Sequence, residues 1–195
     1  MKQRITILML LLVAVILQAP AQRTDNPWQL DISAGLHSFY APVKDLKWSR
    51  PELVTQVAWA KPLGAKQVFS VGLQFGLSRN NYQGDALYLQ LVGQYTPVIG
   101  DKLELGIGTG IGYRFSLYPS RSLKWDGARW TNGSTAKRLL QVPLQFTAGY
   151  RSLAINKYLL RPYAGVQLQG LFGYSPDLSF LPVTNLLMGV KIQKP

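Results

Sequence analysis

The chain offers few residues from which a reaction centre could be built. Its 195 residues include one histidine, His37, and no cysteine. The lack of cysteine excludes a disulfide scaffold, a Cys-ligated zinc site, a thiol nucleophile and a lipoprotein's acylated cysteine. His37 is followed by Ser38, and a base beside a hydroxyl is the beginning of an activated nucleophile. The two fall in a stretch of period-two pattern, where adjacent side chains point to opposite faces, so a hydrogen bond between them is awkward. The sequence places no carboxylate beside them to complete the constellation. No catalytic residue is assigned. One histidine also cannot form a multi-histidine metal site, and neither a metal nor an organic cofactor is expected.

Two other segments carry residue types that bind ligands. Gly106-Ile107-Gly108-Thr109-Gly110-Ile111-Gly112 has the glycine density of a dinucleotide-binding loop. The spacing G-x-G-x-x-G fails at Ile111 in one frame and at Tyr113 in the next, and no strand-then-helix context surrounds it. Between Ser116 and Lys137, the residues Arg121, Lys124, Trp125, Arg129, Trp130 and Lys137 interleave cations with aromatics, and Arg138 follows. Such a segment can bind nucleic acid or, through bidentate arginine contacts, phosphate on other molecules. The overall balance sharpens that choice: 21 Lys+Arg against 9 Asp+Glu give a net charge of +12. With only 15% charged residues, the chain is unlike a disordered tail or a charged coiled coil. Its length allows one domain, or two small ones.

The elements that position these residues follow an address segment. Lys2 and Arg4 precede an apolar run from Ile5 to Leu17, and Ala19-Pro20-Ala21 has the A-x-A form. This is the layout of a secretory signal peptide. Residues 1–21 are therefore expected to be removed, leaving 22–195 as the mature domain. The apolar run is shorter than the roughly 20 residues of a spanning helix.

From Trp28 onward the chain alternates with period two. Strands are predicted at Trp28–His37, Leu53–Trp59, Phe69–Leu77, Leu87–Tyr95, Leu103–Phe115, Leu140–Tyr150, Leu160–Phe172 and Leu186–Ile192. One face of each is bulky, apolar and uncharged, as in Leu103, Leu105, Ile107, Ile111, Tyr113 and Phe115. The opposite faces are rich in glutamine and glycine, with a few charges of both signs. Short and long links take turns, as they do where antiparallel neighbours have tight turns at one end and loops at the other.

Volume decides which face points inward. The interior of an eight-stranded barrel is just wide enough to be filled by side chains. The bulky apolar face does not fit there, whereas the glycine- and glutamine-rich face does. This argues against a secreted barrel with its apolar face turned inward around a ligand. An apolar exterior of that extent needs lipid as its solvent. Trp28, Trp59, Phe69, Tyr95 and Tyr150 gather near one rim, and Tyr113, Phe115 and Phe172 near the other, as two interfacial girdles. The expected fold is all-β, an eight-stranded antiparallel closed transmembrane β-barrel.

In this pattern the chain resembles the small outer-membrane β-barrel proteins of Gram-negative bacteria, the OmpA/OmpX-type barrels. The resemblance covers Gln22 to Pro195 and lies in the pattern rather than in a diagnostic motif. Two features depart from it. The last residues, Val190-Lys191-Ile192-Gln193-Lys194-Pro195, lack the terminal aromatic that many such proteins carry. Pro143 and Pro162 fall inside predicted strands, where each removes a ladder donor and marks an expected bulge.

The resemblance implies residence in the cell outer membrane, with lipopolysaccharide and other outer-membrane lipids as partners. It implies a non-enzymatic role, structural or as an accessory subunit of a larger outer-membrane complex with protein partners. The alternatives are a lipid A-modifying hydrolase or acyltransferase, which would draw on His37, and a narrow channel. In this topology the basic segment Arg121–Arg138 faces the cell exterior, where lipopolysaccharide is the abundant polyanion, so nucleic acid is not expected. Inside the lumen Asp31, Glu104, Arg151, Arg161 and Lys191 are expected to pair as a plug. Asp31 would meet Lys191, and Glu104 would meet Arg151, with Arg161 close in depth.

Overall fold

The structure, a computed structural model, describes residues 28–39, 51–64, 66–81, 84–100, 102–118, 123–151, 153–155, 158–174 and 179–193. The expected signal peptide lies outside them. In chain order the strands are β1 (Gln29–Phe39), β2 (Glu52–Leu63), β3 (Phe69–Ser78), β4 (Ala86–Tyr95), β5 (Val98–Ile99) and β6 (Leu103–Leu117). They continue with β7 (Leu123–Trp125), β8 (Trp130–Asn132), β9 (Ala136–Tyr150), β10 (Leu153–Ile155), β11 (Tyr158–Phe172) and β12 (Phe180–Gln193). The long ones, β1, β2, β3, β4, β6, β9, β11 and β12, pair antiparallel in sequence order. β12 then pairs with β1, from Gln29 opposite Gln193 to Phe39 opposite Val183, and closes the barrel. Closure leaves no open edge to present unpaired backbone to lipid. Among the described residues no helix is long and apolar enough to cross a membrane.

The two ends differ. At the turn end, where β1 begins and β12 finishes, β5 and β10 are short extensions that fold back on β6 and β11. At the loop end, β7 and β8 form a separate two-stranded ribbon in the link between β6 and β9.

Alternation sets inside from outside. The exterior exposes Ile32, Leu36, Val57, Leu73, Phe75, Leu89, Ile107 and Phe146 along the middle of the strands. At the turn end Trp28 packs on Trp59 at 5.8 Å between ring centroids, and Phe69 on Tyr95 at 4.7 Å. Lys61 lies 6.0 Å over the Trp28 ring, a cation held at the interfacial belt. At the loop end Phe172 meets Phe180 at 5.3 Å, and Arg138 lies 5.9 Å over Phe115. The uncharged band between these girdles is the surface that faces acyl chains.

Three local expectations need correction. β12 starts at Phe180, well before Leu186, because Leu181 and Val183 turn inward while Pro182 and Thr184 take the other face. The apolar phase inverts there and hides the strand. β9 starts at Ala136, so Ser116 and Lys137 are register partners instead of loop residues. Neither proline shifts the register. Thr109 pairs with Leu144 and Gly112 with Gln141, the same offset on both sides of Pro143. Pro143 instead interrupts the ladder, and its carbonyl accepts a hydrogen bond from the Thr109 hydroxyl at 2.9 Å. Pro162 stands just beyond the last β9–β11 pair, Gly149 with Tyr163, where its missing N–H costs that ladder nothing.

Candidate functional site

The inner faces stack into layers along the lumen. Nearest the turn end is a charged layer centred on Glu104. Lys191 Nζ lies 3.0 Å from Glu104 Oε1, and Arg161 Nη1 lies 3.5 Å from Oε2. Arg161 Nη2 also donates to Gln193 Oε1 at 2.7 Å, and Gln193 donates to Gln67 at 3.1 Å. Glu104 and Arg161 stand on the two strands that flank β9, where Gly149 is the register partner of Glu104 on one side and of Tyr163 on the other. A Cβ there would press on the Pro162 carbonyl and the Tyr163 side chain.

The pairs differ from those expected. Arg151 lies past the end of β9 and is exposed, and its backbone N–H donates to the Lys102 carbonyl at 2.7 Å. It does not join Glu104. Asp31 stands opposite Lys191 in the register, but its carboxylate accepts from the Tyr163 hydroxyl at 2.8 Å, while the lysine goes to Glu104. The Lys191 ammonium also sits 5.5 Å over the Tyr163 ring. Strand phase puts Tyr163 on the inner face, but its partner is on β1, two strands away. Shear between strands brings them together, and that offset is not written in any single segment.

Above the charges lies a belt of amides. Gln74 donates to Gln56, and Gln90 donates to Gln74. Gln141 donates to Gln90 at 2.7 Å, and Gln56 donates across the barrel to Gln167 at 2.7 Å and to Tyr88 at 2.8 Å. Asn185 and Gln169 add bonds to the Gln167 carbonyl oxygen at 3.0 and 2.9 Å. An amide both donates and accepts, so the belt meets most of its hydrogen-bonding needs without net charge, Gln141 Oε1 and Gln169 Oε1 being the exceptions. Gly76 leaves room for this belt, since a Cβ there would collide with the Tyr88 ring. On the turn-end side a cavity of about 30 Å³, lined in part by Gln29, Asp31, Gln94 and Gln145, is large enough for a water molecule.

Toward the loop end the filling becomes apolar. Leu139, Leu171, Leu181 and Val183 form a buried cluster against Tyr174. Beside it Arg114, 1% exposed, donates to the Ser78 hydroxyl at 2.8 Å and places its guanidinium 5.9 Å over the Tyr88 ring. His37 is equally buried, and its Nε2–H donates to the Arg79 carbonyl. Ser38, next along the strand, is buried as well and stands opposite Thr184 in the register.

Outside the lumen the ribbon carries the basic and aromatic segment. Trp125 and Trp130 are register partners with rings 5.4 Å apart, edge to face, and both are largely exposed. Asp126 accepts from the backbone N–H groups of Ala128 and Arg129 at 2.9 Å each, and Arg129 Nε lies 3.7 Å from its other oxygen. Those N–H groups, Ala128 first, hold the Asp126 carboxyl below the usual carboxylate range. Lys124 lies in β7 opposite Thr131, and Arg121 is outside the described residues. Lys137 sits on β9 with its Nζ 5.3 Å over the Tyr174 ring. The cations that the sequence grouped as one loop are thus divided: Arg129 on the ribbon, Arg138 on the girdle, Lys137 at the lumen mouth.

No protein-family model matches the chain, and no curated protein matches it. Solved structures do. Neisserial surface protein A matches over 85% of this chain and 96% of that one, with a TM-score of 0.61 at 8% sequence identity. Ail, the attachment invasion locus protein of Yersinia pestis, solved with the heparin analogue sucrose octasulfate, matches over 85% and 96% with a TM-score of 0.51 at 10% identity. Likeness at such identities is one of fold. The chain therefore has the fold of the eight-stranded outer-membrane β-barrels and the lipid-facing exterior of a protein of that membrane.

Proposed function

We propose that the chain is a non-enzymatic outer-membrane protein, structural or an accessory subunit of a larger complex, that works through its surface and not its lumen. One observation carries this reading. The lumen is occupied at every depth, by the Glu104 ion pairs, the glutamine belt and the Leu139–Val183 cluster in turn. A narrow channel would need a continuous polar path through these layers. A lipid A-modifying enzyme would need its histidine at the lipid face, whereas His37 is buried in the wall with its ring on a backbone carbonyl.

What remains for function is the loop end and the lipid-facing band. The ribbon presents arginine beside exposed tryptophan, chemistry suited to phosphorylated glycolipid such as lipopolysaccharide: arginine for phosphate, indole faces for sugar rings. A barrel of the same fold, Ail, has been solved with a polyanionic sugar, which supports polyanions as a ligand class for such loop ends.

Purification of the full chain in mild detergent, with identification of co-purifying proteins and lipids, tests the proposal. A defined larger assembly or tightly held lipopolysaccharide is the expected result. A lone barrel whose host carries altered lipid A would overturn it in favour of the enzyme. Neutralising Arg121, Lys124 and Arg129 to glutamine should weaken lipopolysaccharide association. Unchanged association would reduce the ribbon to a solvated loop.

A further inference from the structure

Pro143 is the central residue of β9, and it stands opposite Gly110, the central residue of β6. The β9–β11 register runs past Pro143 without a break, from Gly149 opposite Tyr163 to Leu140 opposite Phe172. The β6–β9 register does not. It runs from Leu103 to Thr109, omits Gly110 with Pro143 and Ile111 with Val142, and resumes at Gly112. In an antiparallel ladder the N–H and C=O of one residue bond to the same neighbouring strand. The Pro143 carbonyl meets Thr109 of β6, so the N–H that proline lacks would have crossed to β6 as well. The Gly110 carbonyl loses that donor.

Lipid supplies no substitute, because backbone groups at this depth have to be satisfied within the protein. Two side-chain bonds bracket the gap instead. On the outer face the Thr109 hydroxyl donates to the Pro143 carbonyl at 2.9 Å. On the inner face Gln141 donates to Gln90 at 2.7 Å across Gly112, the register partner of both. Between these bonds β6 turns only Gly108, Gly110 and Gly112 inward, so no side chain of that strand braces the gap from the lumen.

We infer that the β6–β9 junction at Gly110 and Pro143 is a lateral seam built into the wall, with the Thr109 hydroxyl as its latch. There β9 parts from β6 more readily than β1 parts from β12, whose register is unbroken from Gln29 to Phe39. The seam opens sideways between two strands. It is therefore independent of the surface role and of any axial path through the plug.

Amide hydrogen exchange of the isotope-labelled full chain in detergent micelles tests the seam. Gly110, Gly112 and Gln141 should show protection roughly tenfold below that of Ala34, Leu36 and Met188 at the β1–β12 junction, as the loss of one ladder bond implies for local opening. Pro143→Val restores the donor and should bring the two sets level. Thr109→Val removes the latch and should lower the seam's protection by roughly a further fivefold. Pro162→Val, at the end of the β9–β11 ladder, should leave the seam as it is. Equal protection at the two junctions would overturn the inference. So would a folded Pro143→Val protein whose Gly110 and Gly112 amides exchange as in the parent. A folded Thr109→Val protein with an unchanged seam would overturn the latch.

Discussion

The two ends of the lumen handle positive charge in different ways. At the turn end Lys191 and Arg161 are neutralised by one carboxylate, Glu104. At the loop end Arg114 and Lys137 rest on aromatic rings and, for Arg114, a hydroxyl. A cation facing a buried carboxylate is a closed account: removing either member strands the other in low dielectric. A cation facing a ring keeps its net charge and can still attract an anion. The same residue types are thus held by a carboxylate at one end and by rings and a hydroxyl at the other.

The largest expected effect tests the carboxylate. Glu104→Gln keeps the volume but leaves Lys191 and Arg161 without their carboxylate, and should destabilise the barrel by about 3–5 kcal/mol in denaturant unfolding from micelles. Adding Lys191→Met to that variant should recover part of the loss. If the double variant is no better than the single, Glu104 is not the partner that matters. Arg114→Met at the other end removes the charged hydrogen bond to Ser78 and the contact with the Tyr88 ring, and should lose only about 1–3 kcal/mol. A loss as large as that of Glu104→Gln would erase the distinction between the two ends. Tyr163→Phe deletes the donor to Asp31 and should lose about 1 kcal/mol by the same measurement.

The smallest effect concerns the ribbon and depends on pH. The folded Asp126 carboxyl lies below its unfolded value because the Ala128 and Arg129 backbone N–H groups bind the ionised form. Its contribution is therefore fully present above the ordinary carboxylate pKa of about 4 and is lost as pH falls through the lowered value. The indole resonances of Trp125 and Trp130 should hold their positions from neutral pH down to about 4 and move only below it. Movement well above pH 4 would show that Asp126 does not organise the turn.

Much of this architecture is legible from residue order alone, for a physical reason. Lipid outside and a packed polar lumen inside impose opposite chemistry on alternate residues, so Leu103–Phe115 announces both its conformation and its orientation. Where that contrast fails, so does the reading. Leu181 and Val183 face inward at the loop end, where the lumen itself is apolar, and the start of β12 disappears from the pattern. The inner-face charges could be placed on the right side by phase. Their partners could not, because Glu104 meets Arg161 across β9, and Tyr163 meets Asp31 across β12 by passing over Gly189. Such contacts depend on shear and on a missing side chain in a third strand. Arg151 shared the phase of its neighbours but not their strand.

The central claim is that the lumen is a filled plug and that the protein acts at its surface. Reconstitution of the full chain in planar bilayers tests it most directly. A barrel sealed by the Glu104 cluster, the glutamine belt and the leucine cap should give no stable openings at any ionic strength, and Glu104→Gln should loosen the fold before it opens a path. Stable, ion-selective conductance steps from the unaltered chain would contradict the account.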